Sequence, residues 1–97
     1  MSTARVAAVP RQFINNERAC VTEWRFAAGA ETGWHRHEFD YVVVPITTGR
    51  LLLEDADGSH VAELKAGEPY ARNVGVEHNV VNANDFEFVF IEIEIRP

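Results

Sequence analysis

Ninety-seven residues, 46% hydrophobic and 25% charged, suffice for one compact domain and exclude a second. Fifteen acidic residues against nine basic give a net charge of -6, which repels a phosphate backbone and argues against nucleic-acid binding. The longest apolar runs, Val42 to Val44 and Phe88 to Ile91, fall far short of the ~20 residues that span a bilayer. The first ten residues lack an apolar stretch long enough for a secretory signal, so a cytoplasmic protein with no membrane partner is expected. Cys20 is the single cysteine and can make neither an internal disulfide nor a thiolate zinc cage; its place in an alternating stretch reads as core.

Seventeen Val and Ile stand against four Leu, and five Thr bring the β-branched total to 22, which favours pleated strands over helices. From Arg18 to Phe26, the residues Cys20, Thr22, Trp24 and Phe26 alternate with Val21, Glu23 and Arg25, which predicts a strand with one face inward. Past Gly29 and Gly33, the segment Trp34 to His37 and the run Tyr41 to Thr47 predict two more strands, with a break at Gly49. Arg50 to Asp55 and Ser59 to Lys65 flank Ala56-Asp57-Gly58, a turn sequence that favours a tight hairpin. Residues 67–75 read as loop with a short strand, and His78 to Asn82 as a strand ended by Ala83-Asn84-Asp85. The last strand runs from Phe86 to Ile95. Its first half is apolar on both faces, which predicts contact with a second sheet or a second subunit, and hence a homodimer. Eight or nine short strands with no amphipathic helix predict an all-β sandwich or small antiparallel barrel.

Of the four histidines, His60 follows the Asp57-Gly58 turn with no other ligand type nearby and reads as a solvent-facing hairpin residue. His35 and His37 are two apart in a β context, so both rings point to the same face, with Cα atoms about 6.7 Å apart. Such a pair makes a two-point bite for a metal ion, and a third ligand is needed to hold one firmly.

The spacing around the pair is informative. One block reads Gly29-x5-His35-x-His37-x3-Tyr41, closed by Gly49; a second reads Gly67-x5-Asn73-x-Gly75-x2-His78-x3-Asn82. These blocks resemble the two motifs of the cupin superfamily, G-x5-H-x-H-x3,4-E-x6-G and G-x5-P-x-G-x2-H-x3-N. The resemblance covers residues 29–82 and implies an RmlC-like jelly roll with His35, His37 and His78 as metal ligands. There are three departures. Gly49 comes one residue late, Asn73 stands where proline is usual, and Tyr41 stands where the family has its glutamate ligand. A straight strand would put the Cα atoms of His37 and Tyr41 about 13 Å apart, so both can face one site only if the chain bends at Glu38-Phe39-Asp40. The resemblance implies that bend, with the H-x-H and the glutamate position on adjacent antiparallel strands. Asp40, a residue early, could supply the missing carboxylate only if the register slips, because neighbouring strand residues point to opposite faces.

A divalent ion held by three imidazoles alone carries no ligand charge and favours an anionic, chelating partner. Fe²⁺ is the favoured ion, with Zn²⁺, Mn²⁺ or Ni²⁺ as alternatives. The arrangement is similar to that of three-histidine cupins such as the thiol dioxygenases and acetylacetone dioxygenase, which implies a dioxygenase acting on a small metabolite. Tyr41 could orient substrate or water through its hydroxyl, or fill with its ring the space a carboxylate would take. Arg72 is a candidate for a substrate carboxylate, and Trp34, Phe39 and Tyr70 are expected to line the interior. The segment His35 to Pro45 also resembles a group of small cupins, some labelled β-alanine degradation proteins. Two other readings are a non-catalytic cupin that binds or senses a metabolite, with metal absent or structural, and a core in which the histidines only bond one another.

Overall fold

Residues 4–97 are described by a computed structural model, and they form nine strands and no helix. The strands are β1 (Val9–Asn15), β2 (Ala19–Phe26), β3 (His35–Arg36), β4 (Asp40–Pro45), β5 (Gly49–Asp55), β6 (Gly58–Leu64), β7 (Tyr70–Arg72), β8 (Glu77–Asn82) and β9 (Phe88–Ile95). They build a five-stranded sheet in the order β1-β2-β9-β4-β7 and a four-stranded sheet in the order β3-β8-β5-β6. Each strand pairing is antiparallel. This is the jelly roll expected from the β-branched composition and the two motif blocks.

Period-two alternation decides what each strand sends inward. Along β4, Tyr41, Val43 and Pro45 are buried while Asp40 is exposed and Val42 and Val44 are half-buried. Leu51 and Leu53 from β5, Val80 from β8, Phe26 from β2, and Phe88 and Phe90 from β9 complete the core between the sheets. The Phe26 and Phe90 rings pack 5.4 Å apart at 39°. Burying each large apolar side chain contributes about 1.5–3 kcal/mol. Cys20 is buried and free, as its alternating position predicts.

Strand β1 has no counterpart in the sequence reading. Its seven residues are all exposed, so no alternation of burial marks it. Ladder bonds to β2 define it, with a bulge between Gln12 and Ile14. The hairpin turn is set by Asn16, whose Oδ1 accepts hydrogen bonds from the Arg18 and Ala19 amides at 2.8 and 3.0 Å. Strand β9 is central, between β2 and β4, and starts at Phe88; Phe86 is exposed. The predicted second-sheet contact is therefore made by its even face, through Phe88 and Phe90.

The two motif residues that close the blocks act on the backbone. Asn82 is 2% exposed, and its Nδ2 donates toward the carbonyls of Phe26, Ala27 and Phe86 at 3.2, 3.2 and 2.8 Å. Its Oδ1 accepts from the Asn84 amide at 2.9 Å. A Cβ at Gly49 would stand 2.8 Å from Asn84 Oδ1, so a side chain there would push the Asn84 amide off its hydrogen bonds to the Arg50 backbone. Replacing Asn82 with Ala strands several buried polar groups at once. We expect Asn82→Ala to cost about 2–3 kcal/mol, a fall in Tm of roughly 10–20 °C by thermal denaturation, and an unchanged Tm would contradict this role.

Candidate metal centre

Ladder register brings the histidines together. Strand β3 pairs with β8 so that His35 lies directly opposite His78, with Arg36 opposite Glu77 on the other face. Past β3 the chain stays tied to the segment between β7 and β8: the His37 amide donates to the Val76 carbonyl and the Gly75 amide to the His37 carbonyl, both at 2.8 Å. Gly75 has φ +95°, a backbone state that suits glycine and permits the turn leading into β8. Asp40 faces outward and its Oδ1 accepts from the Val74 amide at 2.8 Å, which braces the same turn and keeps this carboxylate away from the histidines. The chain then bends at residues 38–39 and enters the other sheet as β4. The H-x-H and Tyr41 thus sit on facing sheets, a correction to the adjacent antiparallel pair that the resemblance implied; Tyr41 still points inward because the bend crosses the interior.

The three Nε2 atoms converge. His37 Nε2 lies 3.0 Å from His35 Nε2 and 3.2 Å from His78 Nε2. Nitrogens bound at about 2.1 Å to one ion and subtending about 90–110° would be separated by about 3.0–3.4 Å, so these donors fit a divalent metal. The three residues form a group that could hold such an ion. His35 Nδ1 lies 2.8 Å from the Gly33 carbonyl, which can only accept, so Nδ1 carries the proton and Nε2 keeps its lone pair for a metal. The segment that provides this carbonyl is anchored by buried Asn79, whose Oδ1 accepts from the Gly33 amide at 2.9 Å and whose Nδ2 donates to Glu31 and Glu54.

Burial sets the charge state of the group. Loss of water, followed by the neighbouring histidines, pushes His37 down to about 3. Burial, followed by His35, pushes His78 down to about 4. Both rings are therefore neutral and able to ligate near pH 7. Tyr41 stacks on His37 with ring centroids 3.7 Å apart and planes at 15°. Its hydroxyl is buried with no hydrogen-bond partner, and burial pushes its ionisation up to about 12, so it is a neutral phenol. Glu92 of β9, on the strand next to that of Tyr41, stands beside His37, with Oε1 3.8 Å from His37 Nδ1. Burial pushes this carboxyl up to about 7, and a hydrogen bond from the Trp24 side chain pulls it partway back.

Arg72 stands opposite Tyr41 in the β4–β7 ladder, and Tyr70 opposite Val43. Both line the cavity that the histidines face, along with Trp24, Phe90 and Glu92. Its free space is about 20 Å³, enough for a water-sized group. Two clefts adjoin it. One of about 570 Å³ is reached past Tyr70 and Arg72, and one of about 440 Å³ lies outside His35, His37 and Glu92. Phe39 lines this second cleft, with the Arg96 guanidinium 5.8 Å from its ring, instead of the interior expected for it. Trp34 is 54% exposed and donates from Nε1 to Glu77 at 2.7 Å, so it too is outside; it neighbours His35, and alternation turns it to the other face. His60 is exposed on β6.

Glu92 was missed by the sequence reading. The available signal was the even face of the last strand, where Phe88 and Phe90 are followed by Glu92: a charge continuing a buried face.

An unfolded histidine titrates near 6.5. Below that value the unfolded chain binds protons at His37 and His78 that the folded chain refuses until pH falls to about 3 and 4. Glu92 acts oppositely, staying protonated up to about 7 when folded but ionising near 4.5 when unfolded. From pH 6.5 to 4.5 two histidines oppose one carboxyl, so the metal-free fold loses stability as pH falls. Its urea midpoint is expected to be lower at pH 5 than at pH 7, with His78→Gln flattening the difference; a higher midpoint at pH 5 would contradict this assignment.

No family model matches the chain. It is 56% identical over 94 residues to beta-alanine degradation protein BauB of Pseudomonas aeruginosa, covering 97% of this chain and 99% of that one. A crystal structure of a cupin domain from Bordetella pertussis superposes with a TM-score of 0.97 at 58% identity, covering 99% of this chain and 100% of the other. A cupin-2 domain protein from Shewanella frigidimarina superposes with a TM-score of 0.64 at 27% identity over 91% of this chain and 80% of its own. With ligand-spaced histidines inside a jelly roll and near full-length identity to these relatives, the chain belongs to the cupin superfamily, among the small cupins that include the β-alanine degradation protein.

Proposed function

We propose that this cupin is a cytoplasmic metalloenzyme of dioxygenase type, in which His35, His37 and His78 hold one divalent ion and Arg72 binds a small anionic metabolite beside it. The observation that carries the reading is the convergence of three imidazoles next to a guanidinium that makes no ion pair among the described residues. A charged group half-buried without a counterion is poised for an anion from solution. When bound, Fe²⁺ would supply Lewis acidity and open coordination positions for a chelating substrate and dioxygen.

The chain's own groups do the rest. Arg72 fixes the substrate's carboxylate, and Tyr70 closes the wall beside it. The Tyr41 hydroxyl, buried and unpartnered, offers a hydrogen bond to substrate, while its ring holds the plane of His37. Trp24, Val43, Leu51 and Phe90 keep water out. The small free volume favours a substrate of few atoms that extends into a cleft. The name of the Pseudomonas relative makes three-carbon carboxylates, and the β-oxo acids left when a β-amino acid loses its amine, the first compounds to test. The proposed assembly is a homodimer through the outer face of the five-stranded sheet, where the ladder aligns Val21, Ile93 and Val42, with Ile91 and Val44 beside them.

Protein purified without chelator or nickel resin is expected to carry about one ion per chain at a native mass near twice 10.9 kDa, and His78→Ala to lose the ion. After anaerobic loading with Fe²⁺, small carboxylates, β-dicarbonyls or thiols should drive oxygen uptake. Metal-free wild type would end the reading, and loaded protein that consumes no oxygen with any of them would leave a metabolite binder instead.

Tyr41→Phe separates hydroxyl from ring. It is expected to keep the ion, to hold or raise Tm by a few degrees because an unpaired buried hydroxyl is gone, and to lower kcat/KM about tenfold. Full activity in Tyr41→Phe would assign the role to the ring.

A further inference from the structure

The family's fourth ligand is a carboxylate, and in this chain its place is taken by Tyr41, whose ring lies flat on His37. A carboxylate is nevertheless present at the site, from another strand. We propose that Glu92 is the positioning residue for His37, accepting a hydrogen bond from its Nδ1–H so that its Nε2 is presented to the metal. The inference deepens the metalloenzyme reading and rests on it.

The placement supports this directly. In β9, Glu92 lies between Thr22 of β2 and Val43 of β4 in register, on the inward face that also carries Phe90. Its side chain is 19% exposed and that of His37 is 9% exposed, so the two face one another largely out of water. Oε1 is 3.8 Å from Nδ1, whereas His37 Nε2 is the atom that meets His35 and His78. Glu92 is thus at the nitrogen facing away from the point of convergence, the wrong side for a ligand and the right side for an orienting acceptor. A shift of about 0.6–1 Å, within reach of a small side-chain rotation, makes the contact a hydrogen bond.

A choice of ring orientation makes such an acceptor necessary. The stack with Tyr41 fixes the plane of the imidazole but leaves two orientations related by a half-turn. Only one of them directs Nε2 at the other histidines. A carboxylate that can bond Nδ1–H, but gains nothing from the carbon that replaces it after a half-turn, selects that one. His35 shows the same construction with a backbone group, its Nδ1 held by the Gly33 carbonyl at 2.8 Å. Acceptors of this kind fix tautomer and orientation and make the ring a better donor to the metal. The carboxyl acts on the ring instead of entering the ligand shell, so a coordination position stays free.

The test uses full-length protein stripped of metal and titrated with Zn²⁺ against a competing chelator, comparing wild type with Glu92→Gln, which keeps the shape of the side chain and removes its charge. Glu92→Gln is expected to bind Zn²⁺ about 10- to 100-fold more weakly, with a metal-free Tm within a few degrees of wild type. In the Zn²⁺-loaded proteins, nitrogen-15 NMR of the imidazoles should show the His37 Nδ1–H resonance shifted downfield in wild type and moved upfield in Glu92→Gln, with His35 unchanged. A merely structural role would leave that resonance where it was. Wild type that binds Zn²⁺ beside a variant with equal affinity and the same His37 resonance overturns this inference alone, whereas folded wild type that takes up no Zn²⁺ overturns the metal reading and this inference with it.

Discussion

The antiparallel pairing of β3 with β8 puts His35 across from His78, and the site follows from that register. A slip of one residue would turn His35 outward and bring Arg36 in. The pairing is short, two residues on β3, so it is secured from outside the ladder. Asn79 grips Gly33 ahead of β3, and the amide bonds between His37 and residues 75–76 extend the match beyond it. A metal site needs its donor atoms held to within about 0.5 Å, and these backbone bonds constrain the segments that carry His35 and His37.

Tyr41 in the place of a glutamate changes the electrostatics of the centre more than its shape. The ring occupies the volume, stacks on His37 and contributes no charge. Two charged side chains line the same cavity: Arg72, opposite Tyr41 in the β4–β7 ladder, and Glu92, near Nδ1 of His37. In the proposed function, the guanidinium would meet a substrate anion and the carboxyl would orient a ligand ring. A carboxylate on the metal could do only the latter, and would discourage an anionic substrate from coordinating. Under the proposed function, this arrangement suits a partner that brings its own negative charge.

Much of this arrangement was legible in the residue order, because period-two patterns report sidedness. His35 and His37 share a face, Asp40 and Tyr41 do not, and the structure has both relations. Strands β2 to β9 lie within a few positions of where alternation, β-branched runs and turn residues put them. Strand β1 was hidden because every residue in it is exposed, so only ladder bonds distinguish it from a loop. Trp34 and Phe39 were expected inside on the strength of aromatic character, yet each lies outside, bonded to Glu77 or placed near Arg96. Hydrophobicity alone does not choose a face; position in the pleat does.

Residue types and their alternation predicted an all-β barrel and a shared face for His35 and His37, which depend on contacts within one strand, while His78 as a third donor and an inward Tyr41 came from the resemblance of the two motif blocks to the cupins. The partner of His37 is of another kind. Residues 37 and 92 are neighbours only because β4 and β9 share a sheet while His37 reaches across from the other. No local periodicity encodes a distance between strands so far apart in the chain, and the same holds for the pairing of Tyr41 with Arg72 and for the space left between the sheets. Those were settled by how the two sheets close on one another, where the packing of side chains from seven or more strands decides which groups meet.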